Sequence, residues 1–200
     1  VVKALAEASK TPLYRYIAGM YGNKSELFVP SPVFNMINGG KHGAGNLDFQ
    51  EFHVIPNRQQ TFSKSLQVGS EIYQTIKRLL ARRGAIHSVG DEGGFAPNLF
   101  TNLDALEVLT EAVTECHQKP NVDVELGLDV AANTFYKDGK YVIKDRSSPM
   151  DPNEFIEYLR DLNSQYHLLL LEDALSEDDW NSWANLTTAL SSSLTVVGDD

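Results

Sequence analysis

Three apolar runs in this chain each stop at an acidic residue, and that arrangement restricts the fold more than any other feature. The runs are Val124–Asp129 (VELGLD), Leu168–Asp173 (LLLLED) and Leu194–Asp200 (LTVVGDD). A stretch of β-branched and Leu residues that ends at a carboxylate reads as a buried parallel strand. Its last side chain emerges at the carboxyl edge of a sheet, the edge that carries the chemistry in α/β barrels. Asp129 and Glu172 are 43 positions apart and Glu172 and Asp199 are 27 apart, so each interval has room for one helix and its loops. The order predicts a βαβαβ path, an α/β fold and a parallel sheet or barrel from about residue 120. One such acid alone would read as a strand-end residue or a helix cap. Three converging anions repel unless a cation sits among them, and all-oxygen ligands favour a hard ion such as Mg²⁺ over zinc.

The formal charge of −10, from 17 Lys and Arg against 27 Asp and Glu, argues against nucleic acid or an anionic membrane as the main partner. An anionic small molecule stays compatible, because a bound metal reverses the sign locally. Apolar residues make up 42% of the chain, enough for a globular core over 200 residues. Cys116 is the only cysteine, which rules out an internal disulfide and fits a reducing, cytoplasmic compartment. It reads as a small buried residue on a helix. No apolar run is long enough to span a bilayer, and no signal-peptide pattern opens the chain. Val1–Ser9 reads as the body of a helix without a cap, and Asp200 directly follows a strand. These ends predict an internal segment of a longer protein.

Residues 1–16 read as helical, interrupted by Pro12, with a polar turn near Tyr21–Ser25. Val33–Ile37 and Phe49–Ile55 read as strands flanking a loop that holds Gly39, Gly40, Gly43 and Gly45. In the second strand, alternation places Phe49, Glu51 and His53 on one face and Gln50, Phe52 and Val54 on the other. Ser63–Arg82 predicts an amphipathic helix with Leu66, Val68, Ile72, Ile76, Leu79 and Leu80 on its apolar side, and Gly84 follows its end. Leu103–Cys116 predicts a second helix, with Asp104 and Glu107 near its start. Tyr136–Val142 reads as a hairpin around Asp138-Gly139. Asn153–Leu162 predicts a helix with Phe155, Leu159 and Leu162 in one stripe. A further helix carries Trp180, Trp183, Leu186 and Leu190, both tryptophans reading as core, and Glu177-Asp178-Asp179 reads as its N-terminal cap. His53, His87, His117 and His167 read as structural or surface residues.

Two glycine-rich segments carry side chains suited to chemistry. Asp91-Glu92-Gly93-Gly94 sets two acids in a turn whose glycines permit close approach of backbone to a ligand, as general acid–base work requires. Taken bare, a solvated acidic turn is the commoner meaning of such a sequence. The loop from Asn38 to Asn46 (NGGKHGAGN) has the composition to close over a substrate or cradle an anion, with simple flexibility as the plainer meaning.

Together, NMINGGKHGAGNLDFQEF, VGDEGGFAPN, LGLDVAANTFY, LEDALSEDDW and VVGDD resemble the enolase family in order and approximate spacing, as does the preceding TPLYRYIAG. The resemblance covers essentially the whole chain. It implies a small α+β N-terminal domain, ending here at residues 1–29, followed by a modified α/β (TIM) barrel from residue 30, with an antiparallel strand near its start. It implies a lyase that interconverts 2-phospho-D-glycerate and phosphoenolpyruvate in glycolysis and gluconeogenesis, requires Mg²⁺, and is a homo-oligomer when full length. Asp129, Glu172 and Asp199 match the metal ligands. Glu92 matches the acid assisting departure of the 3-hydroxyl, Glu51 its partner, and His42 the histidine of a mobile active-site loop. Substrate contacts are implied for His42, Gln50, Glu51, Glu172 and Asp199. Two acids as close as Glu51 and Glu92 can raise one another's pKa enough to keep one protonated.

The chain departs from the family pattern at Ala174, where a proline is usual, and at Ser191-Ser192-Ser193, which reads as a short insertion. The family's proton-abstracting lysine, and the arginine, serine and second lysine that hold the substrate, fall beyond residue 200, and the loop ligating the second metal precedes residue 1. None of the lysines here stands on a motif that would replace the base. A lyase or racemase of the wider superfamily would carry a Lys-x-Lys base on an earlier strand, which is absent. A non-catalytic binding or structural protein with this fold is the alternative outside enzymes, and the intact acids argue against it.

Overall fold

The computed structural model describes residues 1–22, 27–43, 45–116 and 123–199. The chain divides into two compact units, Val1–Pro30 and Ser31–Asp200. The first holds two helices, α1 (Val2–Ala8) and α2 (Leu13–Met20), with Pro12 at the N-cap of the second. Proline lacks the N–H needed inside a helix and is tolerated at its start, so the interruption falls where expected. Part of the turn assigned to Tyr21–Ser25 lies outside the described residues, as do His117 and Asp200.

The second unit is built on a five-stranded sheet in the order β1-β2-β3-β6-β7. Its strands are β1 (Phe34–Asn38), β2 (Glu51–Pro56), β3 (Val124–Asp129), β6 (Leu168–Glu172) and β7 (Thr195–Val197). β1, β2 and β3 pair antiparallel, whereas β3, β6 and β7 are parallel. The parallel half follows from the connections: α5 (Pro152–Tyr166) joins β3 to β6 and α6 (Trp180–Leu190) joins β6 to β7. A helical crossover returns the chain to the same end of the sheet. The hairpin predicted around Asp138-Gly139 forms a separate ribbon, β4 (Tyr136–Lys137) with β5 (Lys140–Tyr141). Both of its turn residues take positive φ, 50° and 77°, as a tight two-residue turn needs.

Helices α3 (Phe62–Arg82) and α4 (Asn102–Glu115) cover the outer face of β1 and β2, where Met36, Phe52 and Val54 are buried with Val68, Ile72, Ile76, Leu106 and Leu109. The helix starts are chemically marked. Thr101 and Asp104 form a reciprocal capping box, Asp151 and Glu154 form another, and Asp179 accepts from the Ser182 N–H as the cap of α6.

Several expectations are corrected. Leu66 is 51% exposed, so the buried stripe of α3 runs through Ser65, Val68, Gly69 and Ile72 instead. Trp180 is 79% exposed at the first position of α6, where the helix has not yet reached the core. Phe49 precedes β2 and stacks on Phe52 in the core, so the two-residue alternation starts only at Glu51. Helix α5 extends four residues past Leu162, to Tyr166, and His167 closes it in the left-handed conformation. Cys116 is half-buried just past the end of α4, with its Sγ 3.0 Å from Thr75 Oγ1. His87 is exposed.

Candidate active site

The site lies where the sheet's parallel strands end. In β3 and β6, Asp129 stands directly across from Glu172; in β2 and β3, Glu51 stands directly across from Asp129. Because β2 runs antiparallel, it contributes its first residue to the edge where its neighbours contribute their last. β7 ends at Val197, paired with Glu172, so Asp199 is reached two residues past the strand rather than at its tip. Its backbone N–H donates to Asp173 Oδ1 at 2.9 Å, which ties it to the residue after Glu172.

The turns leaving these strands are held taut. Ala131 and Asp173 take φ of 44° and 45°, values that strain a residue with a Cβ. They are kept there by a ladder beyond the strand ends: Val130 N–H donates to Glu172 O, Ala132 N–H to Asp173 O, and Asp173 N–H to Val197 O. Asp129 Oδ1 accepts from Ala131 N–H at 3.0 Å and Oδ2 from Gln50 Nε2 at 3.0 Å. The amide that sequence resemblance assigned to the substrate thus contacts Asp129.

Glu92 and His42 gather around Glu51 at this edge, one ligating atom from each of the three lying within 4.8 Å of the other two. His42 sits on a short 3-10 turn, Gly40–His42, in the loop between β1 and β2. Its Nδ1 is 3.0 Å from Glu92 Oε2, close enough for an ion pair though not aligned as a hydrogen bond. Glu92 is delivered by a turn sewn to β1. Phe95 N–H donates to Met36 O, Asn38 N–H donates to Phe95 O, and Tyr73 Oη donates to Gly93 O at 2.8 Å.

Glycine is required where that turn crosses β1. A Cβ on Gly94 would lie 2.3 Å from Asn38 Oδ1 and 2.8 Å from Asn35 Oδ1. We expect Gly94→Ala to cost about 1–3 kcal/mol through this overlap, whereas Gly198→Ala, which would meet nothing within 4 Å, should cost far less. Denaturant unfolding of the two variants in the full-length protein checks the contrast; equal losses would mean that the Gly94 overlap relaxes freely.

The electrostatics separate the two glutamates. Burial pulls Glu51 upward, but hydrogen bonds with His53 and Glu92 and the nearby histidines outweigh it and leave its pKa below the ordinary value. Glu92 moves the other way, raised by its hydrogen bond with Glu51, by burial and by the charge of Glu51, with His42 opposing. The two shifts oppose one another, so a proton shared by these carboxylates favours Glu92 over Glu51. Among the other carboxylates of the edge, Asp129 is pushed up to about 7 by burial and then by Glu172, Glu51 and Asp173. Glu172 is raised chiefly by burial, with Asp173 and Asp199 adding to it and His53 opposing.

Hard oxygen donors are thus concentrated at one edge, and among the described residues neither Asp129 nor Glu172 has a Lys or Arg partner within 4.0 Å. That donor set fits a small divalent cation. Asp129, Glu172 and Asp199 share the edge but do not form a set as tight as His42, Glu51 and Glu92. Beside them opens a cleft of about 530 Å³ whose lining includes Lys41, His42, Gln50, Asn133, Glu177 and Trp183. Trp183 is half-buried and fixed by Nε1–H donating to Ser176 O, so it is cleft wall as well as helix packing. Ala174 is fully buried. The residue that sequence reading undervalued is His53, 3% exposed, whose Nε2 is 2.7 Å from Glu51 Oε2. The signal was present: His53 follows Glu51 by two on one strand and so shares its face.

An α/β sheet that begins antiparallel, turns parallel and gathers acids at the carboxyl edge defines a barrel-type domain with its site at the strand ends. The family described as the enolase C-terminal TIM barrel domain matches residues 26–200, and the chain belongs to that family. No helix among the described residues is long and apolar enough to cross a membrane.

Proposed function

We propose that this chain forms part of an enolase, a lyase that reversibly dehydrates 2-phospho-D-glycerate to phosphoenolpyruvate, using Mg²⁺, in cytoplasmic glycolysis and gluconeogenesis. The observation that carries the reading is the Glu51–Glu92 pair, two acids with oppositely shifted pKa values at an edge with three further carboxylates. Loss of hydroxide from carbon needs a protonated acid at the leaving oxygen. Glu92 is biased to hold that proton and Glu51 to stay charged beside it. Asp129, Glu172 and Asp199 would hold Mg²⁺, which when bound stabilises the negative charge that builds on the substrate carboxylate. Gln50 and Ala131 N–H fix the Asp129 oxygens, and His42 and Lys41 stand on the loop that borders the cleft. On this reading the proton next to the carboxylate is removed by a residue outside these 200. The acidic chain and the cleft lining suit a small-molecule substrate rather than nucleic acid, and we take the full-length protein to be a homo-oligomer.

The test is turnover. Full-length protein incubated with 2-phospho-D-glycerate should form phosphoenolpyruvate with Mg²⁺ and lose that activity with chelator. No turnover under any metal, with the protein folded, would overturn the assignment.

A further inference from the structure

We propose that His53 is a positioning residue, which fixes the Glu51 carboxylate so that Glu51 accepts the hydrogen bond from Glu92 in one geometry only. The proposal rests on the dehydration reading above and deepens it. His53 lies on β2 two residues after Glu51, directly across from Gly127 of β3. A Cβ on Gly127 would crowd Ile55 Cδ1 at 3.1 Å and Leu170 Cβ at 3.2 Å and meet the His53 Cβ at 3.4 Å, so the backbone across from His53 is closely packed. The ring is 3% exposed and Nε2 lies 2.7 Å from Glu51 Oε2.

An ionised carboxylate only accepts hydrogen bonds, so Nε2 carries a hydrogen and donates it. Nδ1 is buried and meets no partner, so the Glu51 contact is the one polar anchor of the ring. This contact differs in kind from that of His42. His42 sits half-buried on a loop and reaches Glu92, whereas His53 is locked in a strand and reaches Glu51. One oxygen of Glu51 is therefore held from beneath by rigid structure, and the carboxyl is left oriented toward Glu92. Charge-assisted hydrogen bonds of this length are directional and stronger than neutral ones.

The test compares His53→Leu, which removes the donor, with His53→Gln, whose amide nitrogen can occupy the place of Nε2. In the full-length protein, His53→Leu should lower kcat for dehydration by about 10- to 100-fold. KM for 2-phospho-D-glycerate and exchange of its α-proton with solvent should change little, and His53→Gln should restore most of the loss. Parallel loss of exchange, KM and turnover, or no rescue by Gln, would overturn the proposal in favour of a packing role. If wild-type protein shows no turnover, the dehydration reading has failed, and the contact itself is read instead by ¹⁵N NMR of the imidazole. A hydrogen on Nε2 that is protected in wild type and released in Glu51→Ala supports the positioning contact; an Nε2 without hydrogen overturns it.

Discussion

Replacing Glu92 with Gln in the full-length protein is expected to cut dehydration by several orders of magnitude while leaving α-proton exchange with solvent measurable. Gln keeps the size of the side chain and one hydrogen-bond acceptor but has no acidic proton to give to a departing hydroxyl. On the proposed reading the proton next to the substrate carboxylate is taken by another residue, so that step should survive. The geometry makes this separation testable. Glu92 arrives on its own turn, held by Met36, Asn38 and Tyr73, and interacts with Glu51 and His42. Exchange and turnover falling together would show that Glu92 is needed to assemble the whole site.

The second large effect belongs to Asp129. Asp129→Asn should lower turnover by about 10³-fold or more, because the amide removes the most buried anion of the oxygen-donor edge. Asn keeps an oxygen for Ala131 N–H and, once the Gln50 amide turns its oxygen inward, a hydrogen bond to Gln50, so the substitution removes charge rather than anchoring. Wild-type behaviour with pH provides an independent check. The Asp129 pKa is raised from 3.8 to about 7, so metal-free protein binds a proton there that the unfolded chain releases earlier. The resulting stability is fully present below pH 3.8 and is lost as pH rises through 7. A cation binds the ionised form and must displace that proton. At pH 6 its apparent affinity should be about tenfold weaker than at pH 8, with one proton released per ion bound. Isothermal titration in two buffers of different ionisation enthalpy measures both quantities. Affinity independent of pH, with no proton released, would remove Asp129 from the ligand set.

Much of the scaffold was legible because local chemistry and long-range pattern agreed. The runs ending at Asp129 and Glu172 are rich in Val and Leu, form the parallel strands expected of them, and end at those acids. Asp199 was harder to place. Gly198 breaks the run, so β7 closes at Val197 and the acid is positioned by the backbone of Asp173 rather than by the ladder. Periodicity misled within helices. Leu66 lies one position off the buried stripe of Ser65, Val68, Gly69 and Ile72, and Trp180 is the exposed first residue of α6. At the site, residue types were readable but partners were not. The bond from Gln50 to Asp129 and the contact of His53, read as structural or surface, with Glu51 come only from the structure. Such pairings depend on which strand lies alongside, and no spacing within one strand can reveal them.

The reversed direction of β2 has a consequence for how this domain can change. β1 ends at Asn38 and β2 starts at Glu51, so both strand termini, and the whole connection bearing Lys41, His42 and Gln50, fall on the reactive side. A helical crossover would have spent that length of chain on the far side of the sheet. Here residues can be gained, lost or exchanged in the connection while Glu51 stays pinned across from Asp129 by strand register. Length can therefore vary in this connection without moving Glu51, whereas a change at His42 would reach the acid pair directly through its contact with Glu92.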